Sequence, residues 1–257
     1  MTQTSLLPDR RRRGAALALA AGAGLLAGFL LLLGHRIGNT AGLGALFVYG
    51  VGAYLLWQQL GTLRDHDFGI ANTVTVLRAA MIALLAALII EARPLDDALG
   101  WAVVAGGTVA LLLDGVDGQI ARRLGRASGF GARFDMEVDA VFVLLLAALA
   151  WSAGRAGAWV LLSGAMRYLW VAAAMAWPLL RRPLPPSLFR KSVCVAQIAL
   201  LLTALAPALA PPWPSALAAT GLGLLVLSFG RDFVWLLRGT GMAIGPHPSY
   251  VEDAGRV

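Results

Sequence analysis

Residues 114–139 read DGVDGQIARRLGRASGFGARFDMEVD and place four aspartates at the ends of two apolar runs. Carboxylates near a membrane interior are costly, so their presence indicates a functional site rather than lipid-facing scaffold. Asp114 and Asp117 are three residues apart, and Asp135 and Asp139 are four apart, so each pair shares one face of a helix. This stretch, the aspartate motif, therefore predicts two helices that present paired carboxylates to each other.

A cation is needed to hold such a set of acids together. Four carboxylates in one narrow gap would repel one another unless positive charge lies between them. Ligands that are all oxygen favour Mg²⁺, with Mn²⁺ as the alternative, and the cage has room for two ions. Glu137 points to another side of its helix and is left out of the set. Small residues at Gly115, Gly118, Ala121 and Gly131 would let a diphosphate approach the backbone.

The composition of the chain is that of a membrane protein. Of its 257 residues, 59% are hydrophobic and 14% are charged, and the mean hydropathy is +0.74. The single Cys194 excludes an internal disulfide framework. Eight apolar runs are each about long enough to cross a bilayer, at roughly 14–34, 41–60, 73–92, 98–118, 134–153, 157–180, 189–210 and 215–237. The predicted fold class is an all-α, polytopic membrane helix bundle.

The distribution of arginine predicts the topology of this bundle. An even number of spans puts both termini on one side, and the other side then keeps only Arg36, Arg93 and Arg155. By the positive-inside rule, the termini and the aspartate motif face the cytoplasm. A nucleic-acid partner is not expected despite the net charge of +7, because the basic N-terminal arm suits anionic lipid headgroups. The predicted parts are the arm 1–13, two N-terminal transmembrane helices 14–62, a six-helix core 63–238 and a mobile tail 239–257.

The aspartate motif resembles the signature of the CDP-alcohol phosphatidyltransferase family, with every position filled: Asp114-x-x-Asp117-Gly118-x-x-Ala121-Arg122, then eight residues, then Gly131-x-x-x-Asp135-x-x-x-Asp139. Members commonly open their first core helix with Pro-Asn-x-x-Thr-x-x-Arg. Asn72, Thr75 and Arg78 match this pattern, and Ala71 stands where proline is usual. The resemblance covers about residues 70–240 and leaves the first two helices outside.

This resemblance implies a reaction and its site. The implied reaction transfers a phosphatidyl group from CDP-diacylglycerol to an alcohol and releases CMP, in phospholipid biosynthesis. Two divalent ions would be held by Asp114, Asp117, Asp135 and Asp139. Asp139 would also act as the general base. Contacts to the CDP-lipid would come from Asn72, Thr75, Gly118, Arg122, Ser128 and Gly131. By resemblance, the chain is expected to be a homodimer in a bacterial inner membrane.

Three further cations are candidates for binding the acceptor alcohol. Arg167 lies inside an apolar helix, so it is expected either to pair with the acids of the cage or to contact an anionic acceptor. Arg190 and Lys191 open the next helix, where positive charge is unfavourable with the helix dipole unless an anion is near. Together they favour a phosphorylated acceptor, such as glycerol 3-phosphate or an inositol phosphate.

Other functions are compatible with parts of this pattern. One is transfer of a CDP-linked polar headgroup to diacylglycerol, and another is a lipid-binding membrane module without catalysis. A cation transporter is a third alternative, but it would distribute its acids through the depth of the membrane. Here all four aspartates of the motif cluster toward one side. The subfamily is open from sequence.

Overall fold

The computed structural model describes residues 7–33, 39–59, 70–90, 96–123, 129–185 and 187–239, which form a bundle of eight α-helices. The helices are α1 (Leu7–Leu33), α2 (Asn39–Gln59), α3 (Ile70–Ile90), α4 (Asp97–Arg123), α5 (Gly129–Ser152), α6 (Leu161–Ala176), α7 (Leu188–Ala204) and α8 (Trp213–Gly239). Short 3₁₀ turns at Ala158–Val160 and Pro178–Arg181 flank α6. The described residues contain no strand, and the predicted all-α bundle is confirmed.

Proline explains why α6 and α7 are shorter than the apolar runs that predict them. Pro178 has no backbone N–H and disfavours helical geometry at the residue before it, so α6 gives way to a 3₁₀ turn. Helix α7 ends at Ala204, and a stretch with prolines at 207, 211, 212 and 214 follows. The apolar composition therefore continues past the point where the helix can.

Four helices are long and apolar enough to cross a membrane within the described ranges. They contain the spans Arg13–Leu32, Asp97–Gly115, Ala158–Ala176 and Trp213–Arg238. Two further helices contain shorter apolar segments, Gly42–Tyr54 and Val76–Ile89. The bundle is that of an integral membrane protein. Its eight predicted helices are all present, although only these four meet the full criterion of length and hydropathy in the part of the chain that is described.

Helix α3 lies at the centre of one half of the bundle. It packs against α1, α2, α4 and α5, and small side chains at Ala80, Ala83 and Ala87 are buried along it. Helices α1 and α2 are also joined to each other, because the Tyr49 hydroxyl donates a hydrogen bond of 2.8 Å to the carbonyl oxygen of Leu19. The two N-terminal helices thus form a layer over the side of α3.

Two glycines allow close helix contacts in the rest of the core. A Cβ on Gly164 of α6 would lie 2.3 Å from the backbone Cα of Leu144 in α5. A Cβ on Gly107 of α4 would lie 2.3 Å from a terminal carbon of Leu202 in α7. The contact at Gly164 is with backbone, so α5 and α6 approach to a separation that only glycine permits. The contact at Gly107 is with the end of a side chain, so a larger residue there would require Leu202 to move.

Aromatic pairs join α6 and the turn after it to α8. Trp170 and Phe229 meet edge to face with ring centroids 5.4 Å apart, and Trp177 and Phe233 do the same at 5.7 Å. Such pairs contribute about 0.5–1.5 kcal/mol beyond the area that they bury. They hold the outer helices α6 and α8 together on the side of the bundle away from α3.

Candidate active site

Three helices bring one arginine and two of the motif's aspartates together. Arg78 of α3 donates through Nη1 to Oδ1 of Asp114 in α4, at 2.6 Å. It donates through Nη2 to Oδ1 of Asp139 in α5, at 2.5 Å. The arginine is only 1% exposed, whereas the carboxylates of Asp114 and Asp139 are 23% and 20% exposed. The two carboxylates are therefore partly open to their surroundings, and the guanidinium that they share is buried behind them.

The positions of these residues along their helices explain why they meet. Arg78 lies eight residues after the start of α3, Asp139 ten residues after the start of α5, and Asp114 nine residues before the end of α4. At a rise of about 1.5 Å per residue, all three lie roughly 12–15 Å from the same end of the bundle. We call this end, where α3 and α5 begin and α4 ends, the motif end. Asp114 is also next to the last residue of the apolar span Asp97–Gly115, at the boundary between apolar and polar sequence.

The electrostatics of this cluster favour a fixed geometry. A buried guanidinium is tolerated when it is paired, and arginine presents its N–H groups in a planar fork that can serve two carboxylates at once. Hydrogen bonds in which both partners are ionised are among the strongest in proteins. With all three groups ionised, two negative charges face one positive charge. The cluster keeps a net negative charge, which attracts a further cation.

The remaining residues of the predicted site lie mostly outside the described side chains. Asp117, Gly118 and Arg122 belong to the last turns of α4, and Gly131 and Asp135 to the first turns of α5. Asn72 and Thr75 belong to the first turns of α3, and Ser128 falls in a segment that is not described. Apart from Ser128, these residues lie along their helices between the cluster of Arg78, Asp114 and Asp139 and the motif end. Their roles stay predictions.

Arg167 of α6 contacts α5 on a different face from the one that carries the aspartates. Its Nη2 donates to Oε1 of Glu137, so α6 is tied to α5 by this ion pair. Glu137 is 54% exposed, and it stays apart from the cluster of Asp114 and Asp139, as its helical position predicts. Among the described side chains, the guanidinium that contacts Asp114 and Asp139 is that of Arg78. Sequence could have indicated this, since Arg78, like Arg167, lies in an otherwise apolar helix.

Arg190 and Lys191 lie in the first turn of α7. The backbone N–H of Arg190 donates to the Ser187 hydroxyl at 3.4 Å, which caps the helix. Its guanidinium donates to Oδ1 of Asp232 in α8 at 3.1 Å and to the carbonyl oxygen of Pro185. Lys191 is exposed. Arg190 and Lys191 lie on α7, which packs against α5, as does the α6 helix of Arg167. Both arginines contact an acid: Arg167 contacts Glu137, and Arg190 contacts Asp232.

Comparison with known families agrees with the geometry of the motif. The family model for CDP-alcohol phosphatidyltransferase matches residues 68–229. These residues are more than half of the chain, and they run from the start of α3 into α8. The chain belongs to the CDP-alcohol phosphatidyltransferase family. No curated protein and no solved structure matched the chain.

Membership confirms the family suggested by the aspartate motif and sets the general activity. The family consists of phosphotransferases that act on CDP-alcohols in membranes, and it is generally dependent on divalent metals. The match begins two residues before α3, so α1 and α2 lie outside it. The part of the chain shared with the family therefore runs from α3 into α8.

The described donors are of the type that a divalent metal requires. Asp114 and Asp139 bring carboxylate oxygens from two helices to one guanidinium, and hard cations such as Mg²⁺ prefer such oxygen ligands. Within the described side chains, no group of three or more His, Cys, Asp or Glu converges. The other two expected ligands, Asp117 and Asp135, lie outside those side chains. The residues that are described fit the predicted metal in chemistry and in convergence.

Proposed function

We propose that the protein transfers a phosphatidyl group from CDP-diacylglycerol to an alcohol and releases CMP. The observation that carries this proposal is the convergence of Asp114 and Asp139 from two helices on the guanidinium of Arg78 at the motif end. Both residues lie within the part of the chain that the family model matches, and Asp114 lies where apolar sequence ends. A lipid substrate can therefore leave its acyl chains in the bilayer while its diphosphate reaches the acids.

The reaction requires one bond to form and one to break at a single phosphorus. The acceptor's hydroxyl oxygen attacks the phosphorus that bears the lipid, and the bond from that phosphorus to the oxygen of CMP breaks. Asp139 accepts the hydroxyl proton as the general base. Arg78 donates to Oδ1 of this carboxylate and so directs it. CMP leaves with the bridging oxygen. Most of the rate enhancement then comes from positioning and from charge stabilisation.

The charge of the diphosphate requires positive charge from the site. We infer that Asp114, Asp117 and Asp135, with Asp139, hold one or two Mg²⁺ ions. Bound metal supplies stabilisation of negative charge on the attacking and leaving oxygens. Arg122 would contact phosphate oxygens. The residues that would contact the remaining parts of the CDP-lipid are Asn72, Thr75, Gly118, Ser128 and Gly131.

We propose a phosphorylated alcohol as the acceptor. Arg167, Arg190 and Lys191 supply three cations on α6 and α7, and an anionic acceptor would share the two arginines with Glu137 and Asp232. Replacing Arg167 by alanine should then raise the acceptor's KM and leave the KM of CDP-diacylglycerol unchanged. An acceptor KM equal to that of the parent would assign Arg167 to its contact with Glu137 alone.

We place the motif end at the cytoplasmic face of a bacterial inner membrane. Arg181 and Arg182 follow α6, Arg190 and Lys191 begin α7, and Arg238 is near the end of α8. These cations gather at the motif end, and such an excess marks the cytoplasmic side. Labelling of single cysteines placed near Arg182 and Arg155 in intact cells would test this, since only the second should react with an impermeant reagent.

A direct assay tests the proposed reaction. Purified protein in lipid is given CDP-diacylglycerol, Mg²⁺ and a panel of alcohols that includes glycerol 3-phosphate, and CMP release is followed. We expect release only with an acceptor and only with a divalent ion, and Asp114→Asn should abolish it. The matched control is Asp96→Asn, because Asp96 accepts from the Leu99 N–H at the other end of α4 and asparagine can also cap a helix.

Three outcomes would contradict this reaction. CMP release without divalent ions would contradict the metal, and full activity in Asp114→Asn would contradict the site. CMP release from CDP-choline with diacylglycerol, but not from CDP-diacylglycerol, would assign the opposite direction of lipid transfer. The same assay therefore separates the proposal from its nearest alternative in the family.

A further inference from the structure

Arg78 is the only charged side chain that is fully buried among the described residues. It lies on α3, and α3 packs against both α4 and α5, which carry the aspartates of the motif. Charge at this depth is costly, so the arrangement of its partners is expected to be fixed rather than fluctuating. The position of Arg78 between the two acidic helices is therefore the feature to explain.

The two contacts of Arg78 constrain the two aspartates jointly. Nη1 and Nη2 belong to one rigid, planar guanidinium, and each donates to a different carboxylate. The separation of the two accepting oxygens is then set by the width of that group. In each contact one oxygen of the carboxylate is directed toward the guanidinium. A lysine has one nitrogen on a flexible chain and cannot impose this geometry.

We propose that Arg78 is a positioning residue that sets the distance between Asp114 and Asp139 and orients both carboxylates for phosphatidyl transfer. This inference rests on the proposed function for its effect on turnover, but its geometric part does not depend on the substrate. It assigns to α3 the task of keeping α4 and α5 in register at the motif end. The arginine acts through the two acids and does not itself touch the reacting atoms.

Two simpler roles for Arg78 make different predictions. If Arg78 only neutralised charge, lysine would replace it, because lysine carries the same charge. If Arg78 only stabilised the whole bundle, its loss would disturb distant helices as much as α4 and α5. A positioning role requires that lysine fail and that the disturbance stay local.

Distances between spin labels can separate these roles in the full-length chain. In a Cys194→Ala parent, one labelled pair is Leu112→Cys on α4 with Met136→Cys on α5, both exposed positions close to the aspartates. The control pair is Val195→Cys on α7 with Val226→Cys on α8, which are also exposed. Each pair is measured by electron paramagnetic resonance with Arg78, with Arg78→Lys and with Arg78→Gln.

We expect the motif pair to give a narrow distance distribution with Arg78 and a broad one in both variants, while the control pair stays unchanged. In the CMP-release assay, both variants should lose roughly 100-fold in kcat, the size expected when reacting groups are misplaced by about 1 Å. The KM values for CDP-diacylglycerol and for the acceptor should change much less, because Arg78 contacts neither substrate in this proposal.

Two results would overturn the inference. A narrow motif distance and parental kcat in Arg78→Lys would reduce the role of Arg78 to charge. Broadening of the control pair together with the motif pair would show that Arg78 supports the bundle as a whole. If the parent released no CMP at all, the proposed function would fail, yet the label distances would still decide whether Arg78 positions the two aspartates.

Discussion

The ion contacts of Arg78 and of Arg167 differ in burial, in the number of partners and in the number of helices joined. Arg78 is 1% exposed and links three helices through two acids, whereas Arg167 is 30% exposed and links two helices through the exposed Glu137. Both contacts involve α5. Helix α5 therefore carries two kinds of ion contact. The contact of Asp139 is with a buried arginine, and the contact of Glu137, on another face, is with a partly exposed one.

The difference in burial determines how much free energy is needed to break each contact. An exposed ion pair contributes about 0–1 kcal/mol, so Arg167 and Glu137 can separate to admit another anion at little cost. Breaking a buried pair by removing one partner costs about 3–5 kcal/mol, because a charge is left without compensation. The contact at Arg78 is therefore suited to fixed geometry, and the contact at Arg167 to exchange with a ligand.

Among the variants that test this comparison, Asp139→Asn is expected to have the largest effect on turnover. Loss of a general base lowers kcat by about 10²–10⁴-fold, and asparagine keeps the size of the side chain. Binding of CDP-diacylglycerol, measured by calorimetry, should fall less than kcat. The same substitution at Asp96, at the opposite end of α4, serves as the control and should leave kcat unchanged. Parental kcat in Asp139→Asn would remove Asp139 from the mechanism and weaken the contrast between the two contacts.

An intermediate effect is expected where α6 packs on α5. Gly164→Ala would put a Cβ 2.3 Å from the backbone of Leu144, so the two helices must separate, at a cost of about 1–3 kcal/mol in the free energy of unfolding. Unfolding in detergent measures it. Gly230→Ala in α8 is the control, since nothing lies within 4 Å of its added Cβ. Equal stability of both variants would mean that packing at Gly164 does not hold α6 in place.

The smallest expected effect is the coupling between Arg167 and Glu137. A double-mutant cycle with Arg167→Ala and Glu137→Gln should give a coupling of less than about 1 kcal/mol, because Glu137 is 54% exposed and Arg167 is 30% exposed. The corresponding cycle for Arg78→Gln and Asp139→Asn should give a larger coupling free energy. If the exposed pair were the more strongly coupled, burial would not be what distinguishes the two contacts.

Sequence predicted the helices and the motif, but not the arginine that joins its aspartates. Apolar runs locate all eight helices, and the spacing of Glu137 from Asp135 along α5 correctly puts Glu137 on another face. Arg78 matched the pattern at the start of α3, yet its partners are 36 and 61 residues away along the chain. Periodicity describes one helix at a time, so it cannot identify which of several acids an arginine on another helix will meet.

The ends of α6 and α7 show a second limit of the same kind. Hydropathy measures how apolar a segment is. The apolar runs extend to about residues 180 and 210, whereas α6 ends at Ala176 and α7 ends at Ala204. The prolines that follow decide those ends through backbone sterics. For the site itself, the sequence identified the types of residue and their helices, whereas the geometry at Arg78 required the packing of α3 between α4 and α5.

The layer that α1 and α2 form over α3 restricts the routes by which a lipid can diffuse to Asp114 and Asp139. A molecule moving sideways in the leaflet meets these two helices before it can reach Arg78 across α3. On α4 and α5, Leu112 and Met136 are exposed near the aspartates. The proposed double-tailed substrate and its product would then exchange with the bilayer on the side of the protein that α1 and α2 leave uncovered.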